Sequence, residues 1–132
     1  MSHENEELAR RTFDALERRD MEAFVALTHP SIEFTSLIQE SEATVYRGHE
    51  GVREFLEHML MVFPDWVPVV ESIEGFGDAT IVKARVVGTA ARSGMPLEQT
   101  MWQVAYVRDG LVGGWRWYRT EAEARKAIGL PE

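Results

Sequence analysis

The first half of the chain carries apolar residues at helical spacing. In residues 4–19 the apolar side chains fall on one helical face, opposite glutamates and arginines, which predicts a first helix. Asp20 is suited to cap a second helix over residues 21–28, and Pro30 should end it. The most regular apolar stripe consists of Val52, Phe55, Leu56, Met59, Leu60 and Phe63. This stripe predicts a third helix that ends at Pro64.

In the second half of the chain the apolar period shortens to two residues, which predicts β-strands. Strands over residues 32–37 and 43–46 should precede the third helix, and strands over 67–74, 80–90, 97–107 and 111–118 should follow it as an antiparallel run. Residues 108–110 (RDG) form a hairpin signal between the last two strands. Residues 120–123 (TEAE) match a capping box, so a short terminal helix should run to about Ile128. Helices and strands in separate runs indicate the α+β class.

The strand over residues 97–107 is apolar on both of its faces. Trp102, Val104 and Tyr106 alternate with Met101, Gln103, Ala105 and Val107. Antiparallel sheets usually leave one face to water. One face is therefore expected to pack on the helices and the other on a second copy of the chain, which predicts a homodimer through the sheet.

Length, composition and charge narrow the class of protein. With 132 residues, 45% hydrophobic residues and no low-complexity run, the chain is expected to fold as a single domain over residues 1–132. A net charge of −8 disfavours nucleic-acid binding, because phosphate backbones are repelled. The sequence has no cysteine, no signal-peptide pattern and no apolar run of membrane-spanning length, so a cytoplasmic location without a membrane partner is the default expectation.

Three segments of the chain are similar to segments of one known family. They are residues 46–55 (YRGHEGVREF) with 63–66 (FPDW), residues 107–112 (VRDGLV) with 115–118 (WRWY), and the His29-Pro30 pair before the first strand. Together they resemble the SnoaL-like branch of the nuclear transport factor 2-like superfamily. The resemblance implies a cone-shaped, curved antiparallel sheet wrapped round the long third helix, with the N-terminal helices alongside. This is the cystatin-like or nuclear transport factor 2-like α+β barrel, with an apolar pocket between sheet and helices.

The resemblance does not select an activity. The superfamily includes ketosteroid isomerases, polyketide cyclases, dehydratases, epoxide hydrolases and binding proteins that catalyse nothing, and one fold supports all of them. At the position of the isomerase base this chain has Thr35, and at the position of a second acid it has Gln103. Threonine is not a base near neutral pH. Glutamine does not transfer protons, although its amide can donate a hydrogen bond to a carbonyl or an oxyanion.

Glu33 and His58 are the candidate bases that remain. Glu33 has the same strand parity as Thr35 and can act as a base if it points into an apolar pocket, whereas at the rim it is inert. His58 lies on the third helix, where it is either at the pocket edge or on the surface. His29, which precedes Pro30, is expected to bond the carbonyls of a helix end.

The other predicted ligand contacts are mostly large and apolar. Strand parity puts Trp115, Trp117 and Arg119 on one face, which the resemblance implies is the pocket face. The tryptophans would favour a flat or apolar ligand, or would fill the core or the dimer interface. Arg119 is suited to pair with Glu33 or with a ligand carboxylate. The full set of predicted lining residues is Thr35, Tyr46, Phe55, Met59, Phe63, Trp66, Met101, Trp115, Trp117 and Arg119.

Three functions stay open on the sequence alone. The first is binding of a small, hydrophobic molecule in an apolar pocket, with Gln103 as its polar anchor. The second is an isomerase, cyclase or hydrolase acting on a steroid-, terpenoid- or polyketide-like substrate, with Glu33 or His58 as base and Gln103 as hydrogen-bond donor. The third is a protein-interaction module that uses an exposed sheet face. No phosphate-binding loop, dinucleotide motif or metal-ligand spacing is present, so no cofactor and no metal are expected.

Overall fold

The computed structural model describes residues 2–39 and 42–130, with the side chains of all of them except 2, 36–39 and 42–44. Its elements in chain order are α1 (Ser2–Glu17), α2 (Met21–Ala26), β1 (Thr28–Gln39), β2 (Glu42–Arg47), α3 (Gly48–Val62), β3 (Val67–Phe76), β4 (Ala79–Thr89), β5 (Pro96–Arg108), β6 (Leu111–Tyr118) and α4 (Glu121–Ala127). The predicted α+β class is confirmed. Among the described helices, none combines the length and the apolarity that a bilayer crossing needs.

The described strands form one curved sheet in the order β2-β1-β6-β5-β4-β3. The run from β3 to β6 is antiparallel, as predicted, and β1 pairs antiparallel with β2. β1 and β6 pair in parallel, which the sequence pattern did not predict. Four strands and α3 separate β1 from β6 in the chain, so no local turn sequence predicts their pairing.

The region around Pro30 differs from the prediction. α2 ends at Ala26 and β1 begins at Thr28, so Pro30 lies inside a strand and does not end a helix. The register between β1 and β6 shifts between Thr28 and Glu33. Because proline has no N–H to donate, it fits a stretch of strand where the ladder is irregular.

The main core lies between the inner face of the sheet and helices α1, α2 and α3. At its centre the Trp115 ring of β6 stacks on Phe34 of β1 and on Phe13 of α1, with ring centroids 5.1 and 5.3 Å apart. Phe24 of α2 meets the same indole edge-on at 5.3 Å, and Phe55 of α3 lies 4.5 Å from Phe34. Each such pair contributes about 0.5–1.5 kcal/mol beyond the burial of its area. This aromatic cluster therefore joins α1, α2 and α3 to the sheet.

The outer face of the sheet is partly covered by the chain's own C-terminal helix. Ala124 of α4 is fully buried against Ile81 of β4 and Val104 of β5. A second copy of the chain is thus not needed to cover this part of the face. Tyr106, on the same face, stays 43% exposed, and the homodimer itself stays a prediction.

Candidate ligand site

A glutamine lies in the middle of the apolar core. Gln103 is on β5, and its Cα partners are Val82 of β4 and Trp117 of β6. The side chain is 0% exposed, and neither its Oε1 nor its Nε2 atom has a hydrogen-bond partner among the described residues. A buried polar group without a partner costs about 1–3 kcal/mol. Native proteins rarely bear this cost unless a water, an ion or a ligand completes the bonds, so the amide is a candidate ligand anchor.

Two further buried polar side chains without partners lie beside Gln103. They are Thr80 on β4, through Oγ1, and Trp115 on β6, through Nε1. Both are Cα partners of Ala105, one on each side, and Gln103 precedes Ala105 by two residues on the same strand face. Partners across antiparallel strands lie about 4.5–5.5 Å apart. Thr80, Gln103 and Trp115, here called the polar cluster, are therefore neighbours of Ala105 on one face of the sheet.

An apolar groove opens between α1, α2 and α3, and Trp66 lines one side of it. The cavity volume is about 40 Å³, whereas pockets for drug-sized molecules span about 300–1,000 Å³. A ring system would therefore enter only if the groove widens. The apolar lining residues are Ala15, Leu16, Met21, Phe24, Leu56, Met59, Leu60 and Trp66, and the polar ones are Arg19 and Asp20.

Arg19 and Asp20 stabilise the rim of this groove. The Arg19 guanidinium donates hydrogen bonds to the carbonyl oxygens of Pro64 and Trp66, and the bond to Trp66 is 3.1 Å long. The Asp20 carboxylate caps α2 by accepting the N–H of Ala23 at 3.1 Å, as predicted for this residue. Arg19 thus ties the turn between α1 and α2 to the turn between α3 and β3.

Most of the predicted apolar contacts do come together in the core. Tyr46 and Phe63 are half-buried, and the buried members of the set are Phe55, Met59, Trp66, Met101, Trp115 and Trp117. Met59 and Trp66 line the groove. The Trp117 ring lies 6.2 Å from the Trp115 ring and 5.9 Å from the Phe13 ring, which supports the alternative in which the tryptophans fill the core.

Strand β1 turns Glu33 and Thr35 away from the core, which favours the alternative in which Glu33 lies at the rim or surface, while the ligand contact expected of Thr35 stays a prediction. Ile32 and Phe34 take the inner face, at 0% and 1% exposure, and alternation sends their neighbours to the other face. Glu33 is exposed and forms an ion pair with Arg47. Thr35 is half-buried. The orientation follows from burial, because a fully buried Ile or Phe side chain contributes about 1.5–3 kcal/mol.

The remaining polar candidates also lie outside the core. His58 is exposed on α3 and Arg119 is exposed just after β6, and their contacts with a ligand stay predictions. His29 does not bond a helix end, since β1 begins there. Its Nε2 lies 3.2 Å from the Asp109 carboxylate, and its Nδ1 accepts the Ser31 N–H at 3.0 Å. Within the described ranges, no group of three or more His, Cys, Asp or Glu side chains is arranged to hold a metal ion.

The sequence pattern did not predict the polar role of two members of the polar cluster. Trp115 was considered for its ring and not for its N–H. Thr80 was predicted only as the first residue of a strand, although the sequence does contain a signal for its buried position. It alternates onto the same face as Val82, Ala84 and Val86, so it is the one hydroxyl in an apolar row.

The curved sheet packed on α1, α2 and α3, with a polar cluster in its core, defines the α+β class of this protein. The chain belongs to the SnoaL-like domain family, whose model matches residues 9–115. No curated protein matches the chain.

Several solved structures have the same fold. A nuclear transport factor 2-like protein of unknown function from Burkholderia pseudomallei K96243 is 19% identical with a TM-score of 0.80, over 96% of this chain and 98% of that one. A protein described as a SnoaL-like polyketide cyclase, from Jannaschia sp. CCS1, is 20% identical with a TM-score of 0.77, over 99% and 95%. A protein described as a ketosteroid isomerase, from Kribbella flavida DSM 17836, is 25% identical with a TM-score of 0.70, over 92% and 81%. The predicted family and fold are therefore confirmed.

Proposed function

We propose that this protein binds a small, mostly apolar molecule between the inner face of the sheet and the helices, with Gln103 as its polar anchor. The observation that carries the proposal is the Gln103 amide, which is 0% exposed and has both polar atoms without a partner. An amide in this position is a cost to folding unless another molecule bonds to it. Binding sites of this kind combine apolar walls with a few polar groups that orient the ligand.

Binding without proton transfer fits the interior better than acid–base catalysis does. Among the described residues, the buried polar side chains are Asn5, Thr12, Thr28, Thr80 and Gln103. None of them gains or loses a proton near neutral pH. The two candidate bases, Glu33 and His58, are exposed to water and lie outside the apolar core, where a base would have to meet a buried ligand. For this reason we favour the binding protein over the isomerase, cyclase or hydrolase.

The groove between the three helices is the proposed way in. Phe24 lines the groove, and its ring lies 5.3 Å from the Trp115 ring of the polar cluster. Phe24 therefore contacts both the groove and the ring of one member of the polar cluster. Met21, Met59 and Leu60 also line the groove, and methionine side chains adapt readily to a new neighbour. The names of the similar cyclase and isomerase suggest polyketide- and steroid-like ring systems as the first compounds to try.

The test is a ligand screen with a variant that closes the groove. A ligand at 100 times its dissociation constant should stabilise the fold by about 2.7 kcal/mol, which a thermal-shift screen of steroids and aromatic polyketides detects. Leu60→Trp should fill the groove and abolish the shift. Met61→Trp is the matched control, since Met61 is the next residue of α3 and is 72% exposed. If no compound gives a saturable one-to-one shift, the binding function is wrong, and if Leu60→Trp still responds, the groove is not the way in.

We also propose that the protein forms a homodimer through the outer face of its sheet. The outer sheet face exposes Val45 of the edge strand β2 and Tyr106 of β5, each by 43%. Scattered apolar residues of this kind suit a second copy of the same face, since a two-fold dimer needs only a self-complementary surface. Sedimentation at micromolar concentration tests it, and a monomer there would contradict it.

A further inference from the structure

The groove between α1, α2 and α3 is narrowed by polar contacts at its rim. We propose that α2 and the turn before it form a lid over this groove, held shut by Arg19, and that a ligand enters when the Arg19 hydrogen bonds break. The inference rests on the proposed binding function and adds to it how entry into the site is controlled. It explains why a cavity of about 40 Å³ lies where a much larger molecule is proposed to enter.

Arg19 joins two parts of the groove lining. It lies in the turn between α1 and α2, and its guanidinium donates hydrogen bonds to the carbonyl oxygens of Pro64 and Trp66, in the turn between α3 and β3. These two bonds are here called the Arg19 clasp. Arg19 and Trp66 both line the groove. Moving the α1–α2 turn away from Trp66, which would widen the groove, therefore breaks the clasp.

The backbone at Arg19 indicates that the arginine is held there by its side-chain contacts. The Arg19 N–H donates to the Leu16 carbonyl at 3.1 Å and the Asp20 N–H donates to the Ala15 carbonyl at 2.9 Å, a common pattern at helix ends. Arg19 has a φ of 58°, where glycine is the usual residue because a side chain costs free energy in this conformation. Such a cost persists where surrounding contacts hold the residue. The clasp supplies contacts of this kind.

The turn after α3 is the fixed side of the clasp. The Asp65 carboxylate accepts the Thr89 N–H at 2.6 Å, and the Val62 carbonyl at the end of α3 accepts the Ala91 N–H at 2.9 Å. Both bonds attach the turn to the end of β4, in the middle of the antiparallel run of strands. This side therefore stays with the sheet when the groove opens.

The α2 side of the clasp is the one that moves. This helix has six residues, of which Phe24 and Val25 are buried, and so short a helix has little stability of its own. A second polar contact holds it to α3, where Arg53 Nη2 lies 3.1 Å from Glu22 Oε2 on the surface. Because the Phe24 ring is 5.3 Å from the Trp115 ring, an outward movement of α2 also uncovers part of the aromatic core.

Two substitutions remove the clasp in different ways. Arg19→Met keeps the cost of the left-handed backbone, whereas Arg19→Gly relieves it and so keeps the turn formed. The probe is N-phenyl-1-naphthylamine, a neutral ring compound that fluoresces in apolar surroundings, mixed with the full chain by stopped flow. Its association and dissociation rate constants should both rise roughly tenfold in each variant, which corresponds to about 1.4 kcal/mol. The Kd should stay within about twofold, since a lid that closes again over the ligand changes both rates alike.

Hydrogen exchange of the ligand-free protein measures the lid without any probe. The backbone amides of α2 should exchange roughly tenfold faster in both Arg19 variants, while those of β4 and β5 keep their rates. Glu22→Gln should speed the exchange of α2 by a smaller factor, because an exposed ion pair contributes little.

Arg18→Met is the matched control. Arg18 lies in the same turn and is exposed, but it pairs with Asp14 and Asp20 instead of with the turn after α3. It should leave the probe rates and the exchange of α2 unchanged. If the Arg19 variants keep the exchange rates of the wild type, or bind the probe with a weaker Kd at an unchanged association rate, the lid is overturned while the binding function stands. If the probe binds none of the proteins in a saturable way, the result counts against the binding function, and the exchange of α2 decides the lid alone.

Discussion

Replacing Gln103 by methionine should make the ligand-free protein more stable, although it removes the ligand anchor. Methionine has nearly the length and volume of glutamine but carries neither of the two amide atoms that are buried without partners. The side chain is 0% exposed, so the apolar substitute stays inside the core and opens no cavity. The expected effect is a gain in stability at the expense of a site whose unmet hydrogen bonds serve ligand binding.

The size of the effect follows from the cost of unmet hydrogen bonds. A buried polar group without a partner costs about 1–3 kcal/mol, and the methionine thioether avoids this cost. The free energy of unfolding should therefore rise by roughly 1–3 kcal/mol. For a domain of this size, such a gain corresponds to a melting temperature higher by roughly 3–10 °C.

Urea denaturation of the ligand-free protein, followed by tryptophan fluorescence, measures this change. Gln99→Met, at the exposed position four residues earlier, should shift the free energy of unfolding by less than about 0.5 kcal/mol. A Gln103→Met variant that is less stable than the wild type would refute the reasoning. It would mean that the amide already has partners in the ligand-free protein, such as tightly held water.

Three further predictions concern other parts of the molecule. The Asp65 carboxylate accepts the Thr89 N–H, which lowers the pKa of Asp65 below its ordinary 3.8. The contribution of Asp65 to stability is therefore present above that pH and is lost as the pH falls below it. In denaturation series below about pH 4 the stability difference between wild type and Asp65→Ala should shrink, and a constant difference would contradict this. Thr120→Ala removes the cap of α4 and should cost about 1 kcal/mol in thermal unfolding, while no loss would show that the cap is idle. Tyr106→Glu, on the exposed outer face, should turn the proposed dimer into a monomer in light scattering, and an unchanged mass would argue against that interface.

The third helix and the final hairpin could be predicted from the sequence because their signals are local. Val52, Phe55 and Met59 are buried on one face of α3, as the helical spacing requires. Asp109 and Gly110 both adopt positive φ, at 53° and 76°, in the hairpin turn that the sequence indicated. Each of these features depends on neighbours within a few residues, so periodicity and turn chemistry are enough to find it.

The orientation of β1 was not predictable in the same way. Counting positions against the family puts Thr35 at the place of the isomerase base and gives Glu33 the same parity, whereas Ile32 and Phe34 take the inner face in the structure. A shift of one residue exchanges the two faces of a strand, so an ungapped count fails at the first irregularity. The register shift that follows Thr28 is such an irregularity.

By itself, the sequence determined the α+β class, the SnoaL-like family, the order of the elements and Gln103 as a polar residue of interest. Only the tertiary structure decided that Gln103 shares its surroundings with Thr80 and Trp115, and that Glu33 is at the surface. The physical reason is that helix spacing and strand alternation are properties of the chain over a few residues. The neighbours of a buried amide come from β4 and β6, and their pairing arises only when the whole sheet closes on the helices.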